Sequence, residues 1–258
     1  MSTTIFYFSG RGNALNAARI ISGKLGDAKL VPVYKALNES VDLSAERIGF
    51  VFPVIALGMP AVVSKLISKL DVKDKNKYFF AAVTTGGMPV GTLLQIRNRL
   101  KVKGYKLSAG FFLLADGKQE SLDEWGKKTD DIVSIVRDKK VHELGAVKFM
   151  DRFILTGIAN KLAKLFFIPK EDKKFYVDDS CDGCGICQKV CPVQNITIQK
   201  GKPIWMHKCE QCGACFNLCP KKALHGKNLV ARTYHMNPYV ELKDFIVDYI
   251  IHDKGSTS

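Results

Sequence analysis

The sequence predicts a doubly wound α/β domain with a parallel sheet, followed by a small α+β domain that holds metal ligands. Three observations lead to this fold class. Short apolar strands alternate with helical patterns over residues 1–140, a glycine-rich loop follows the first strand, and all eight cysteines lie between Cys181 and Cys219. Regular alternation of helices with strands that are apolar throughout is typical of a parallel sheet covered on both faces.

Five runs rich in β-branched and aromatic residues are the predicted strands. They are Thr4–Phe8, Lys29–Tyr34, Ile48–Phe52, Tyr78–Thr84 and Leu107–Ala115. Apolar residues at helical spacing predict helices between most of these runs and after the last one. The predicted helices are a segment that ends at Leu25, then Pro60–Leu70, Thr92–Lys103 and Ser121–Lys140. Five strands that begin with a strand–loop–helix motif suit the flavodoxin-like strand order 2-1-3-4-5.

Three loops follow strands of this sheet, and in such folds ligands bind at the carboxyl ends of the strands. The first loop, Ser9–Ala14, precedes a helix, where backbone N–H groups and the helix dipole favour an anion. The second loop is Pro53–Gly58 and the third is Thr84–Pro89. The candidate cofactor-binding residues are Ser9, Gly10, Arg11, Gly12, Asn13, Ala14, Pro53, Val54, Ile55, Thr84, Thr85, Gly86 and Gly87.

The cysteines form two runs, each with the spacing C-x2-C-x2-C-x3-C and each followed by a proline. The runs are Cys181, Cys184, Cys187 and Cys191, and then Cys209, Cys212, Cys215 and Cys219. The offset between them is 28 residues at every cysteine and at the proline, so the segment is an internal repeat. This is the pattern of bacterial ferredoxins with two iron–sulfur clusters, in which the fourth cysteine of each run binds the other cluster.

The ligand assignment follows from that exchange of the fourth cysteine. One 4Fe–4S cluster is expected on Cys181, Cys184, Cys187 and Cys219, and a second on Cys209, Cys212, Cys215 and Cys191. Zinc sites usually show two C-x2-C pairs with a longer spacer, and a disulfide framework needs an oxidising compartment. Met1–Gly10 has no basic segment ahead of its apolar residues, so no signal peptide is expected. Both alternatives are therefore disfavoured, and a cytoplasmic location is expected.

The first loop also resembles the flavodoxin phosphate loop, whose pattern is roughly Ser or Thr, any residue, Thr, Gly, Asn, Thr. Together with the doubled cysteine motif, it makes nearly the full chain resemble the ferrodoxins, a family of fused flavodoxin–ferredoxin proteins. Residues 231–238 resemble the C-terminal segment of that family. The resemblance implies FMN as a cofactor, with its phosphate on Ser9–Ala14 and its isoalloxazine between the second and third loops.

Two departures from the flavodoxin pattern bear on FMN binding. Arg11 and Ala14 stand where flavodoxins usually have Thr, which removes two hydroxyl donors to phosphate. Arg11 would replace them with a charge-assisted contact, or it would point into solvent. The second loop has no aromatic residue to stack on the flavin, so Ile55 and Ala56 offer only apolar contact. A flavodoxin-like scaffold without FMN is therefore the alternative interpretation.

Residues 141–174 are predicted to link residues 1–140, the flavodoxin-like domain, to residues 175–258, the ferredoxin domain with its C-terminal tail. Apolar residues recur at helical spacing in this linker, and lysines interrupt them. The apolar residues are Phe149, Phe153, Ile154, Ile158, Leu162, Leu165 and Phe166. A helix that docks the two domains together is expected. A helix lying on a membrane surface is the alternative, so peripheral membrane contact stays open.

The net charge is +14, from 39 Lys and Arg against 25 Asp and Glu. Most of the surplus lies in Met1–Asp116, which has 16 basic and 7 acidic residues. Two basic groups stand out there: Lys65, Lys69, Lys73, Lys75 and Lys77, and Arg97, Arg99, Lys101, Lys103 and Lys106. Because no nucleic-acid-binding motif accompanies them, no nucleic acid partner is expected. Acidic redox proteins are the expected partners, since complementary charge raises encounter rates.

The cysteine motif and the flavodoxin-like loops together predict an electron-transfer protein. Electrons would pass between two 4Fe–4S clusters, an FMN and external redox partners. No nucleophile or Ser-His-Asp set is evident, so no catalytic residue is predicted, and no transmembrane segment is expected. One alternative is a flavin-dependent reductase of a small molecule that the clusters supply with electrons. Another is a flavin-free iron–sulfur redox sensor or assembly factor.

Overall fold

The structure is a computed structural model that describes residues 2–56, 58–87, 91–115, 124–142, 168–226 and 236–246. Its first part contains strands and helices in alternation. The strands are β1 (Thr3–Tyr7), β2 (Ala28–Pro32), β3 (Arg47–Pro53), β4 (Tyr78–Thr85) and β5 (Leu107–Leu114). The helices are α1 (Asn13–Leu25), α2 (Val33–Asn38), α3 (Ala61–Lys69), α4 (Thr92–Val102) and α5 (Trp125–Arg137).

The five strands form one parallel sheet in the order β2-β1-β3-β4-β5. This confirms the doubly wound α/β fold class and the flavodoxin-like order 2-1-3-4-5. In β1, Phe6 pairs with Val31 on one side and with Phe50 on the other. The strand order reverses at β1 and β3, so the loops that follow these two strands meet at the switch point, where such folds bind ligands.

Helices pack on both faces of the sheet, which explains why the strands are apolar throughout. Phe50 of β3 joins the layer that contains Leu66 of α3. Val51, the next residue, joins the opposite layer with Ile21 of α1. Successive side chains of a strand point to opposite faces, so a strand between two helical layers buries all of them.

The buried side chain of Arg47 connects the amino ends of β1, β2 and β3. Its guanidinium lies 2.5 Å from the carboxylate of Asp27, and its Nε donates a hydrogen bond to Thr3 Oγ1 (2.9 Å). The Arg47 side chain is only 2% exposed. A buried charge of this kind requires a partner, and Asp27, on the turn before β2, supplies it. This ion pair was not among the features that the sequence indicated.

Most element boundaries lie within one residue of the sequence prediction, but those of β2 and of the last helix differ more. β2 ends at Pro32 and α2 follows it, whereas the sequence pattern predicts a strand that continues to Tyr34, so that part of the prediction is wrong. Pro32 has no N–H for the ladder, and its φ of −59° suits the residue just before a helix. The last helix begins at Trp125 rather than Ser121, and residues 116–123 lie outside the described part of the chain.

Residues 168–226 form the small α+β part. It contains a 3-10 helix (Ile168–Lys174), β6 (Phe175–Val177), α6 (Ile186–Lys189), β7 (Ile196–Gln199), β8 (Lys202–Trp205), α7 (Ala214–Asn217) and β9 (Leu224–Gly226). β6 pairs with β9 and β7 pairs with β8, both antiparallel. The helices α6 and α7 are each four residues long and stand at the 28-residue offset of the cysteine repeat. The sequence repeat is therefore also a structural repeat.

Gly49 in the middle of β3 generates a stability prediction, because the ring of Phe80 covers it. A Cβ added at Gly49 would lie 2.3 Å from Phe80 Cζ. We predict that Gly49→Ala lowers the free energy of unfolding by about 1–3 kcal/mol, since a ring in a packed core must shift. Denaturant unfolding of the full chain under anaerobic conditions measures the change.

Gly23→Ala is the matched control for that substitution. Gly23 is exposed on α1, and nothing lies within 4 Å of an added Cβ. Alanine at this helical site should raise the free energy of unfolding by about 0.5–1 kcal/mol. Equal unfolding midpoints for the two variants would contradict the packing argument.

Candidate functional site

Three loops meet at the carboxyl edge of the sheet, as the sequence predicted. The first loop (Ser9–Ala14) follows β1, the second (Pro53–Gly58) begins at the end of β3, and the third begins at the end of β4 with Thr84. The second and third loops are joined at their start, because the N–H of Val54 donates to the carbonyl of Thr84 (2.9 Å). Leu57, Met88 and Pro89 of these loops lie outside the described residues.

The first loop presents hydrogen-bond donors at the start of α1. Gly12, with φ of +90°, precedes the helix, and its N–H donates to Ser9 Oγ (3.1 Å). A hydroxyl that accepts one bond still has its own hydrogen to donate. The first N–H groups of α1 have no partner within the helix, and Ala14 and Leu15 at its start are buried. Buried donors at a helix N-terminus suit an anion, so these groups fit the phosphate of FMN.

The second and third loops offer a tight turn and an unpaired hydroxyl. Ile55 and Gly58 exchange two backbone hydrogen bonds (2.9 and 3.1 Å), and Ala56 between them has φ of +46°. In the third loop, the N–H of Gly87 donates to Thr85 Oγ1 (3.2 Å). Among the described residues, Thr84 Oγ1 is buried without a hydrogen-bond partner. A buried hydroxyl of this kind suits the polar edge of a ligand at this end of the sheet.

The eight cysteines come together in two sets of four. One cavity is lined by Cys181, Cys184, Cys187 and Cys219, and another by Cys191, Cys209, Cys212 and Cys215. These are the two sets that the sequence assigned to separate clusters. Within the described ranges, no three His, Cys, Asp or Glu side chains are arranged to hold a single metal ion. Four thiols around one cavity are the donor set of a 4Fe–4S cluster, so the residues fit that group.

In both cysteine runs, a glycine with positive φ turns the backbone around the cavity before a short helix. Gly185 and Gly213 precede α6 and α7 with φ of 74° and 75°, a conformation that glycine adopts without strain. Gly183 is equally constrained, because an added Cβ would lie 2.7 Å from the carbonyl oxygen of Gly201. The glycines between the cysteines are therefore required by the turns of the backbone.

Burial controls the chemistry of several of these thiols. It raises the pKa of Cys187 to about 11 and the pKa of Cys209 to about 12, and it raises the pKa values of Cys212 and Cys215 as well. Such thiols stay protonated at neutral pH until a metal displaces the proton. Cys184, in contrast, is exposed. The first set of cysteines is therefore the more accessible from solvent.

The sequence did not single out a buried polar network beside the second set. The N–H of Asn195 donates to Cys191 Sγ (3.2 Å), and its Nδ2 donates to the carboxylate of Asp172 (2.8 Å). Asp172 is also hydrogen-bonded to the ring of His207 (2.9 Å), and both Asn195 and Asp172 are 1% exposed. The spacing of Asn195, four residues after Cys191, was the only signal in the sequence.

The second cysteine run packs directly on the carboxyl edge of the sheet. A Cβ added to Gly10 of the first loop would lie 2.1 Å from the carbonyl oxygen of Cys212. Glu210 of the same run accepts a hydrogen bond from the N–H of Ala61, the first residue of α3 (2.9 Å). A carboxylate at a helix N-terminus is stabilising. The second cavity therefore lies next to the loops expected to bind FMN.

The basic groups lie elsewhere. Helices α3 and α4 run back from the carboxyl edge, so their last turns and the segments after them lie at the amino edge of the sheet. Part of this charge has structural partners: Lys77 Nζ donates to the carbonyls of Leu43, Ser44 and Ala45 (2.6–2.7 Å). Other members are exposed: Arg97, Arg99, Lys101 and Lys106.

Two other predicted features fall outside the described part of the chain. The linker helix at residues 149–166 and residues 231–235 of the C-terminal segment lie there. None of the helices in the described ranges has the length and apolar character that a membrane crossing needs.

Comparisons with known proteins match the two parts separately. Residues 180–224 match the family model described as a 4Fe-4S dicluster domain. A flavodoxin from the domain Archaea is 17% identical, with 53% of this chain and 99% of that chain covered and a TM-score of 0.39. A Megasphaera elsdenii flavodoxin is 21% identical (50% and 98% covered, TM-score 0.38). A Fusobacterium nucleatum flavodoxin mutant bound to flavin mononucleotide is 15% identical (54% and 96%, TM-score 0.42). No curated protein matches the sequence.

The strand order and the dicluster match together define the architecture. The chain joins a flavodoxin-like α/β domain to a 4Fe–4S dicluster domain. This combination supports an electron-transfer role.

The network around Asn195 generates a prediction for the second set of cysteines. We predict that Asn195→Ala lowers the free energy of unfolding by about 1–3 kcal/mol, because the buried carboxylate of Asp172 loses a hydrogen-bond partner. The expected consequence is faster loss of iron to a chelator. Gln199→Ala, on the exposed end of β7, is the control and should leave the rate unchanged. Equal rates of iron loss in both variants would show that the network does not support the cysteines.

Proposed function

We propose that this chain is an electron-transfer protein that links external redox proteins to an FMN through two 4Fe–4S clusters. The first cluster would be bound by Cys181, Cys184, Cys187 and Cys219, and the second by Cys191, Cys209, Cys212 and Cys215. The two four-cysteine cavities support this assignment. The proposed units are residues 1–140, the linker 141–174 and residues 175–258.

The observation that carries the proposal is the packing of the second cysteine run against the first loop. The Cys212 carbonyl lies against Gly10, and Glu210 caps α3 after the second loop. A cluster on this run would sit beside the FMN loops. The first set, with the exposed Cys184, faces solvent. The order supported by this arrangement is partner, first cluster, second cluster, flavin site.

The residues of the flavin site have separate tasks. The Ser9 hydroxyl and the backbone of Gly10–Ala14 would hold the phosphate, and Arg11 would add charge to it. The ring would lie between Pro53, Val54 and Ile55 on one side and Thr84–Gly87 on the other. FMN supplies a centre that takes one or two electrons, whereas each cluster passes one. The chain itself binds, orients and shields these groups.

Counting cofactors tests the proposal directly. Chain purified without oxygen should contain about eight iron atoms, as two 4Fe–4S clusters require, and one FMN. Iron and sulfide analysis, FMN extraction and the absorption spectrum measure the content. A folded C-terminal part without iron would contradict the cluster assignment, and iron without FMN would contradict the flavin assignment.

Two equivalent cysteine variants test the order of the clusters. Cys184→Ala and Cys212→Ala should each retain about four iron atoms, because each removes a ligand of a different cluster. Reduction by an external redox protein should still reach the remaining cluster in Cys212→Ala and should slow sharply in Cys184→Ala. Stopped-flow absorption follows the reduction. The reverse pattern would place the external contact at the second cluster.

An acidic partner protein is part of the proposal, and the basic groups at the amino edge support it. Their field would raise the rate of encounter rather than mark the point of electron entry, because that edge lies opposite the redox loops.

Charge reversal tests this role of the basic groups. Reversing Arg99 and Lys101, both exposed in the last turn of α4, together to Glu should slow reduction by a small acidic redox protein on the order of tenfold at low ionic strength. The effect should disappear at high salt. The control reverses Lys127 and Lys128, two exposed lysines near the start of α5, and should change the rate less. Equal effects would indicate that only net charge matters.

A further inference from the structure

The described C-terminal segment, Met236–Ile246, covers the first loop; we call it the C-terminal strap. A Cβ added to Gly12 would lie 2.2 Å from Val240 Cγ2 and 3.0 Å from Asn237 Cβ. Gly10 is covered from the other side by Cys212. Both glycines of the first loop are buried. The loop expected to hold the FMN phosphate is therefore enclosed by the C-terminal half of the chain.

Asn237 is the residue of the strap that bonds the loop. Its N–H donates to the carbonyl of Arg11 (2.9 Å), and its Nδ2 donates to Asn13 Oδ1 (3.0 Å). The Arg11 carbonyl and the Gly12 N–H belong to one planar peptide, so fixing the carbonyl also orients the N–H. That N–H donates to Ser9 Oγ. Asn237 therefore sets the position of the loop peptide and, through it, of the Ser9 hydroxyl.

A two-bond latch fastens the far end of the strap to α1. The Arg19 guanidinium donates two hydrogen bonds to the carboxylate of Asp244 (2.9 and 2.6 Å). This contact lowers the pKa of Asp244 to about 2. The ion pair is therefore intact at neutral pH, and its contribution to stability is lost only as the pH falls below about 4, the pKa of an unperturbed aspartate. Asp244 also completes a capping box with Glu241.

An apolar cluster joins the strap to both parts of the chain. Val240 and Phe245 of the strap are buried with Leu15 of α1 and with Val190 and Ala214 of the two cysteine runs. The strap is thus packed at the point where the first loop and the cysteine runs meet. Its three buried residues, Asn237, Val240 and Phe245, make the strap part of this packed region.

We propose that the strap positions and closes the phosphate loop, with Asn237 as the positioning residue. The proposal rests on the FMN site described under Proposed function. Two hydroxyl donors of the flavodoxin pattern are absent at Arg11 and Ala14, and the Asn237 bonds compensate by holding the remaining donors in place. The strap has to lift before the phosphate of FMN enters or leaves the loop.

The test compares FMN with riboflavin, which has the same ring but no phosphate. Asn237→Ala removes the side-chain bond to the loop, and Asp244→Asn weakens the latch without changing the loop. In the full chain with its iron retained, both variants should release FMN about tenfold faster, which is the effect of losing one to two hydrogen bonds. Riboflavin release should change less than about twofold, because its contacts do not involve the strap. Flavin fluorescence on release measures both rates.

Asn38→Ala is the matched control. Asn38 is an exposed asparagine on α2 whose side chain also makes one described hydrogen bond, to the carbonyl of Tyr34 (2.8 Å). This variant should release FMN at the wild-type rate. Iron content must be unchanged in all variants, so that a change in release reports the loop and not the clusters.

The outcomes separate the two proposals. FMN bound by the wild type and released equally fast from all variants overturns the role of the strap but keeps the flavin site. FMN bound only by Asn237→Ala or Asp244→Asn supports closing by the strap and overturns positioning by Asn237. Flavin bound by none of the chains, with iron present, overturns the flavin assignment and the strap proposal together. Riboflavin release accelerated as much as FMN release shows that the strap acts on the ring, which contradicts positioning of phosphate.

Discussion

The close approach of the Cys212 carbonyl to Gly10 is the constraint on which the arrangement of the candidate redox groups depends. Any side chain at Gly10 would start 2.1 Å from that oxygen, so only glycine lets the second cysteine run rest on the carboxyl edge of the sheet. The cap of Glu210 on α3 and the apolar cluster shared with α1 and the strap belong to the same interface. A glycine at this position of a phosphate loop is usually explained by the close approach of the phosphate. Gly10 is also required by the contact between the two domains.

Local patterns in the sequence were sufficient for the sheet and for the grouping of the cysteines. Strands such as Ile48–Phe52 are apolar on both faces because helices cover both faces of the sheet. Each such strand is therefore recognisable as a continuous apolar run of a few residues in the sequence. The 28-residue repeat separated the cysteines into two equivalent runs, and in the structure Gly185 and Gly213 precede helices at the same offset. The error at β2 came from extending the strand beyond Pro32 to Tyr34, although a residue without an N–H ends the ladder and favours the start of α2.

The contacts that assemble the site could not be predicted from local patterns. Asn237 and Asn13 are 224 residues apart in sequence, and Arg19 and Asp244 are 225 apart. Such pairs leave no periodicity, and each residue alone looks like an ordinary exposed polar side chain. The buried pair of Asn195 and Asp172 was missed for the same reason. The excess of basic residues is evident in the sequence. Only the direction in which α3 and α4 run along the sheet shows that most of these residues lie at its amino edge.

The structural repeat contains an asymmetry that its sequence does not show. Cys184 and Cys212 are equivalent members of the two runs, yet Cys184 is exposed while the backbone of Cys212 rests on another domain. Reduction potentials of iron–sulfur clusters depend on solvent exposure and nearby hydrogen bonds. Two chemically identical ligand sets would therefore acquire different potentials from their surroundings alone. Clusters bound by these two sets would therefore differ in potential because the second run packs on the sheet, and electron transfer between them would have a favoured direction.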